Sequence, residues 1–277
     1  MNLTHRIKPA ISYLIKGKAQ VNITPTICYS SPNNILDGKR IIVTGGGKGL
    51  GFSMAKKFTQ EGANVLIVGR DVNVLEESAD LIGCQYLELD VTHTNNFHKF
   101  IEKSVEKLGG VDCLVNNAGI SLHENTFFDV NEETFDAQIS TNFKGPFFLT
   151  QSFLKYIIQN NQKGNVLFIS SETGNTMDFR PYGFTKAAIN SMVQGLAYLF
   201  RKQNIRINAV APGITASDMT GIKHDGNLYA GNYATGRFYL PDEVAEVACF
   251  LLSDISGCLS GQIITCNNAQ TVNARWK

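Results

Sequence analysis

The chain lacks any apolar run approaching the ~20 residues needed to cross a bilayer as a helix, so no membrane span is expected. It also lacks paired cysteine motifs. Cys28, Cys84, Cys113, Cys249, Cys258 and Cys266 are scattered, with no C-x-x-C among them. In a chain of this length that argues against a disulfide framework and against a zinc site. The thiols read as reduced and mostly buried, in a cytoplasmic protein, and no metal is expected. Net charge is nearly absent, at +1 over 277 residues, so nothing points to a nucleic-acid partner. There is no internal repeat and no low-complexity tract.

The small charge is unevenly spread. Residues 1–36 carry Arg6, Lys8, Lys16 and Lys18 and no acid, which leaves the rest mildly acidic. Within this stretch Ile7, Ile11, Leu14 and Ile15 fall on one helical face. Residues 1–37 therefore read as a basic N-terminal arm that packs on the body or a neighbouring subunit, with an organelle address as the alternative. Residues 38–277 read as one domain.

That domain alternates. Short β-branched runs recur as RIIVTG, NVLIVG, QYLELD, VDCLVNN, GNVLFIS, IRINAVA and QIITC. Segments of helical period separate them, among them Glu132 to Ile158 and Thr185 to Phe200. Unbroken apolar strands alternating with helices imply a seven-stranded, mostly parallel sheet with helices on both faces, the Rossmann-like doubly wound α/β architecture. The least regular parts are 17–38 and 218–240.

Glycine clusters where the first strand gives way to a helix, in TGGGKGLG. Gly45, Gly49 and Gly51 make G-x-x-x-G-x-G. At that junction backbone N–H groups and the positive end of a helix face whatever lies above the strand, which suits a pyrophosphate. The second strand ends at Gly69 and Arg70, where an acid would bind the ribose of NAD. A neutral residue with Arg70, and Lys48 in the glycine loop, favours NADP(H) over NAD(H); Asp71 counts slightly against it. Further on, Tyr182 and Lys186 stand four apart at the start of a helical segment and share a face. A nearby ammonium lowers a phenol's pKa. Ser171 ends a strand, and Asn142 lies in a helix rich in Phe.

Together these motifs resemble the short-chain dehydrogenase/reductase family, in its TGxxxGxG and YxxxK branch and close to 3-oxoacyl-acyl-carrier-protein-reductase-like oxidoreductases. The resemblance runs from about Gly38 to Asn268. It implies a catalytic set of Asn142, Ser171, Tyr182 and Lys186. Tyr182 is then the acid for carbonyl reduction and the base for oxidation, and Ser171 binds the substrate oxygen. Lys186 lowers the Tyr182 pKa and binds the nicotinamide ribose, and Asn142 holds a proton-relaying water. The implied cofactor contacts are Gly45, Gly47, Lys48, Gly49, Leu50 and Gly51 of the loop, then Arg70, Asp90 and Val91. Asn117, Ala118 and Gly119 of NNAG follow, then Tyr182 and Lys186 themselves, and lastly Pro212, Gly213, Thr215 and Ser217. The long helices are expected to pair into a homodimer or homotetramer.

Two departures from the family stand out. The stretch SETGNTMDFRPY is about two residues short, making Ser170 a rival to Ser171. The C-terminal ending reads CNNA (Cys266–Ala269) where the family has a VDGG-like sequence. Residues 218–238 read equally as a lid, with Tyr229, Tyr233 and Phe238 as pocket walls and Lys223, His224 and Arg180 as substrate contacts, or as a surface loop whose charges face water. The activity expected is NADPH-dependent conversion of a small-molecule carbonyl to an alcohol, or the reverse. A nucleotide-binding sensor or scaffold without turnover, and a nucleotide-sugar epimerase-like enzyme, are the alternatives. Acyl thioester, sugar, steroid and simple ketone all stay open as substrates.

Overall fold

Each of the seven apolar runs forms one strand in the computed structural model, which describes residues 21–23 and 33–271. They are β1 (Arg40–Thr44), β2 (Asn64–Gly69), β3 (Gln85–Glu88), β4 (Cys113–Asn116), β5 (Gly164–Ile169), β6 (Ile205–Pro212) and β7 (Ile263–Cys266). All pair in parallel, in the order β3-β2-β1-β4-β5-β6-β7. The helices between them are α1 (Gly49–Gln60), α2 (Val72–Ile82), α3 (Phe97–Leu108), α4 (Glu132–Ile139), α5 (Gly145–Gln159), α6 (Pro181–Phe200) and α7 (Pro241–Leu252).

The period-2 alternation of strand side chains divides the core in two. Ile41, Val43, Val65, Ile67, Val115 and Leu167 face Met54 and Phe58 of α1, Leu75 of α2 and Val244 of α7. Ile42, Leu66, Val68, Leu114, Val166 and Phe168 face Phe97 and Phe100 of α3, Phe153 of α5 and Ile189 of α6. Both faces are covered, which is why the middles of the central strands run apolar on both sides, as in IIV of β1, VLIV of β2 and VLFI of β5. The strand order reverses between β1 and β4. The crevice beyond the carboxyl ends of these two strands is where ligands bind in open sheets of this type.

One expected helix is not continuous. Between α4 and α5, residues Ser140–Lys144 form a π-helical turn. Pro146 supplies the physical reason. It has no N–H to bond one turn back, so the ladder loosens at this point. The helix containing Tyr182 starts earlier than its apolar period indicates, with Pro181 in its first turn. Of the five described thiols only Cys113 and Cys249 are buried; Cys84 and Cys266 are half-buried and Cys258 is exposed. That revises the expectation that most are buried. Cys28 and the amphipathic face of Ile7, Ile11, Leu14 and Ile15 lie outside the described residues.

Candidate active site

Asn117 ties the floor of the crevice together. Its side-chain amide donates to the carbonyls of Thr44 and Gly45, at 2.9 and 3.1 Å. The Thr44 hydroxyl accepts from the backbone N–H of Asn117 and Ala118 and donates to Val115. The ends of β1 and β4 are thus locked together, and the glycine loop rises from them. Gly45 has φ +64°. A Cβ there would stand 3.0 Å from the Asn117 amide, and one on Gly51 would collide with the Gly45 carbonyl. The loop therefore packs on itself with no side chains to fill the space above α1. This is the cradle a pyrophosphate needs.

A cavity of about 420 Å³ opens above the loop. Its lining includes Gly45, Lys48, Gly49, Leu50 and Gly51, then Asn117, Ala118 and Gly119, then Pro212, Gly213, Thr215 and Ser217. Ser171, Tyr182 and Lys186 line the same space. Gly47, Arg70, Asp90 and Val91 lie outside that lining, toward the β2–β3 side. Asp90 accepts hydrogen bonds from the backbone and hydroxyl of Thr92. Burial pushes its carboxyl up, but those bonds and the charges of His93 and Arg70 bring it below the usual range. Asp71 is occupied as the cap of α2, accepting from Val74 N–H at 3.2 Å.

Asn142 sits in the π-helical turn, 2 % exposed. Its amide oxygen accepts from Ile120 N–H and its amide nitrogen donates to the Ile120 carbonyl, both at 2.8 Å. A Cβ on Gly119 would lie 3.3 Å from the Asn142 oxygen and 3.8 Å from Lys186 Nζ, so the three adjoin. Lys186 donates to the carbonyl of Ile169, the last residue of β5, at 2.7 Å. Its ammonium lies 5.4 Å from the centre of the Tyr182 ring.

The two serines separate by partner. Ser170 is buried and donates to Asn190 Oδ1 at 2.6 Å. Asn190 donates in turn to Asn175. Ser171 caps the short 3₁₀ turn Glu172–Asn175, accepting from Thr173, and lines the cavity beside Tyr182, whose pKa it lowers.

One electrostatic expectation is corrected. Lys186 does not hold Tyr182 down here. Burial raises the phenol above its ordinary value of 10, outweighing the lowering by Ser171 and by the Arg180 charge. Burial also pushes Lys186 down to about 8. An ammonium that is lost near pH 8 is absent by the time the phenolate forms.

The lid residues also differ from expectation. Residues 213–240 close on themselves through Ala216 and Tyr239, and Arg237 pairs with Glu243. Tyr233 and Phe238 pack on each other with ring centres 5.4 Å apart. They, Tyr229, Lys223 and His224 stay outside the cavity lining; Arg180 reaches it, paired with Asp178 at 2.8 Å. The walls on this side are instead Ile214, Asp218, Met219 and Thr220. His123, on the loop after β4, bonds the Met219 carbonyl at 2.7 Å and bridges to this segment. No motif marks a lone loop histidine, so the sequence carries no signal for it. From the N-terminal arm, Val21 and Ile23 bond the side chain of Asn227.

Residues 39–227 match the family model described as short chain dehydrogenase. The chain belongs to the short-chain dehydrogenase/reductase family and is an oxidoreductase by that membership. It is 32% identical over 246 residues to a 3-oxoacyl-[acyl-carrier-protein] reductase of Chlamydia pneumoniae, covering 85% of this chain and 98% of the relative. It is 30% identical over 250 residues to an L-rhamnose 1-dehydrogenase (NADP(+)) of Thermoplasma acidophilum, covering 85% and 97%. A crystal structure of a short-chain type dehydrogenase/reductase from Mycobacterium marinum superposes with a TM-score of 0.79 at 26% identity, covering 88% of this chain and all of that one.

Proposed function

We propose that the chain is an NADP(H)-dependent oxidoreductase that interconverts a carbonyl and an alcohol, with Tyr182 as acid and base. The observation that carries this reading is the convergence of Ser171, Tyr182 and Lys186 on one cavity that also holds the glycine cradle. The cofactor, when bound, supplies or accepts the hydride. The residues do the rest. Tyr182 gives its phenolic proton to the carbonyl oxygen in reduction and takes it back in oxidation. Ser171 donates to the same oxygen as negative charge develops on it. Lys186 binds the ribose hydroxyls of the cofactor in this reading, which its bond to the Ile169 carbonyl at the end of β5 supports. Asn142, clamped on Ile120, holds the chain behind it in register.

The preference for NADP(H) is supported by Arg70 and Lys48, both exposed near the end of β2 and the glycine loop, and by the engagement of Asp71 as a helix cap. NADPH should bind at least ~10-fold more tightly than NADH, and Arg70→Asp should narrow the gap. Titration of both cofactors checks this, and equal dissociation constants overturn it. The same reading makes 38–277 the catalytic domain and 1–37 an appended arm. It makes the protein a homodimer or homotetramer in the cytoplasm, where free thiols persist. Turnover is tested by NADPH oxidation across acyl thioesters, sugars, steroids and simple ketones. Tight NADPH binding with no reduction anywhere in that panel would overturn the enzymatic reading.

A further inference from the structure

One acid in the cavity wall has no task in the reaction above. Glu172 directly follows Ser171, lines the same cavity and is 9% exposed. Its Oε2 accepts from the side-chain amide of Asn267 at 2.8 Å. Asn267 is 2% exposed and also donates to Thr271. It belongs to the CNNA ending that departs from the family pattern. The other carboxylate oxygen, Oε1, has no hydrogen-bond partner among the described residues. The cations of the cavity are engaged elsewhere or stand at the glycine loop: Arg180 on Asp178, Lys186 on the Ile169 carbonyl, Lys48 beside Gly49.

A nine-tenths buried carboxylate held through one oxygen keeps the other open to accessible space, where it can take a donor without giving up the Asn267 bond. Asn267 fixes its orientation, and the cavity is the direction from which a donor can come. The adjoining hydroxyls of Ser171 and Tyr182 define where the reacting oxygen sits. We propose that Glu172 is a specificity-determining residue whose Oε1 accepts a hydrogen bond from a substrate hydroxyl near the reacting carbonyl, so that the substrate is a polyhydroxylated carbonyl compound or its alcohol. This rests on the oxidoreductase reading. A site built around such a bond rejects the analogue lacking the hydroxyl strongly, because the carboxylate is then left unpaired. It also disfavours substrates carrying a negative charge at that point.

The test compares a panel of aldoses, ketoses and sugar alcohols with matched deoxy analogues, using the full chain with NADPH or NADP⁺. Wild type should show kcat/KM at least ~100-fold higher for the hydroxylated member of the productive pair. Glu172→Ala should lose at least ~10-fold on that member and less than ~3-fold on its deoxy partner. Glu172→Gln, which keeps the shape and one acceptor, should fall between them. Asn267→Ala should raise KM for the hydroxylated member more than it lowers kcat. Thermal melts confirm that the variants are folded, and ligand-observed NMR reads the same preference as binding. Equal losses on both members, or a wild type with no preference, overturn the proposal. Turnover confined to simple ketones or thioesters overturns it and leaves the oxidoreductase reading intact. No turnover and no binding across every class overturns both.

Discussion

Tyr182→Phe removes one oxygen and leaves a ring of the same shape. Folding and NADPH binding should survive, while turnover falls by at least ~100-fold, the low end for lost general acid–base help. Ser170→Ala should cost much less activity than Ser171→Ala, because the Ser170 hydroxyl is spent on Asn190 and the Ser171 hydroxyl meets Tyr182. Steady-state kinetics on all three variants decide this, and near-normal turnover in Tyr182→Phe overturns the assignment. Lys186 adds a prediction about stability. Its folded pKa lies near 8 against 10.5 when unperturbed. Between those values the unfolded chain still holds the proton that the folded chain has released. Stability therefore rises with pH across that window, by on the order of 3 kcal/mol from this group alone. Urea melts of wild type and Lys186→Met across the window should diverge with this sign, and parallel curves would refute the shift. At this scale the sequence was informative where chemistry demands spacing. Tyr182 and Lys186 announce themselves by being one helical turn apart. Glu172 does not, because its meaning depends on Asn267, 95 residues away.

The α4–α5 element joins local geometry to the cavity. Its π-helical turn carries Asn142 inward to grip Ile120 through both backbone groups. Asn142→Ala leaves the half-buried N–H and C=O of Ile120 without their side-chain partner, which costs up to about 1–3 kcal/mol per group. Chemical denaturation should show a loss within that range or above it, and an unchanged midpoint would mean that the clamp is not made in solution. The sequence marked Glu132 to Ile158 as helical, correctly in outline. Hydrophobic period cannot show one loosened turn, since the apolar face continues on either side of it. Pro146 was the available sign. The lid was less legible still. Tyr233 and Phe238 look like pocket walls as a list of aromatic residues, yet they satisfy each other.

For the whole molecule, the exposed aromatic rings are the main unspent feature. Phe135, Phe147, Phe148 and Phe184 on α4, α5 and α6 are exposed, as are Phe127 and Phe128 nearby. Such a patch on one side of a monomer marks an interaction surface. We expect a second copy to cover it. Sedimentation at micromolar concentration should show a dimer or larger, and Phe148→Asp should shift it toward monomer. Only monomer in the wild type overturns this. The layer order of the sheet was legible because the central strands β1, β2 and β5 are apolar on both sides, as a doubly covered parallel sheet requires.

The reversal of strand order also has a consequence in time. Ile41 finds its partner Val65 24 positions down the chain, but its other partner, Cys113, lies 72 positions away. During synthesis β1 can meet β2 early, then waits with one edge bare until β4 emerges. The crevice that holds the glycine cradle is therefore the last seam of the first four strands to close. Refolding from denaturant should be slow for a chain of this size, on the scale of seconds or longer, because long closures must precede their rewarding contacts. The Asn117 and Thr44 bonds across that seam should form late, so substituting Asn117 should speed unfolding far more than it slows folding.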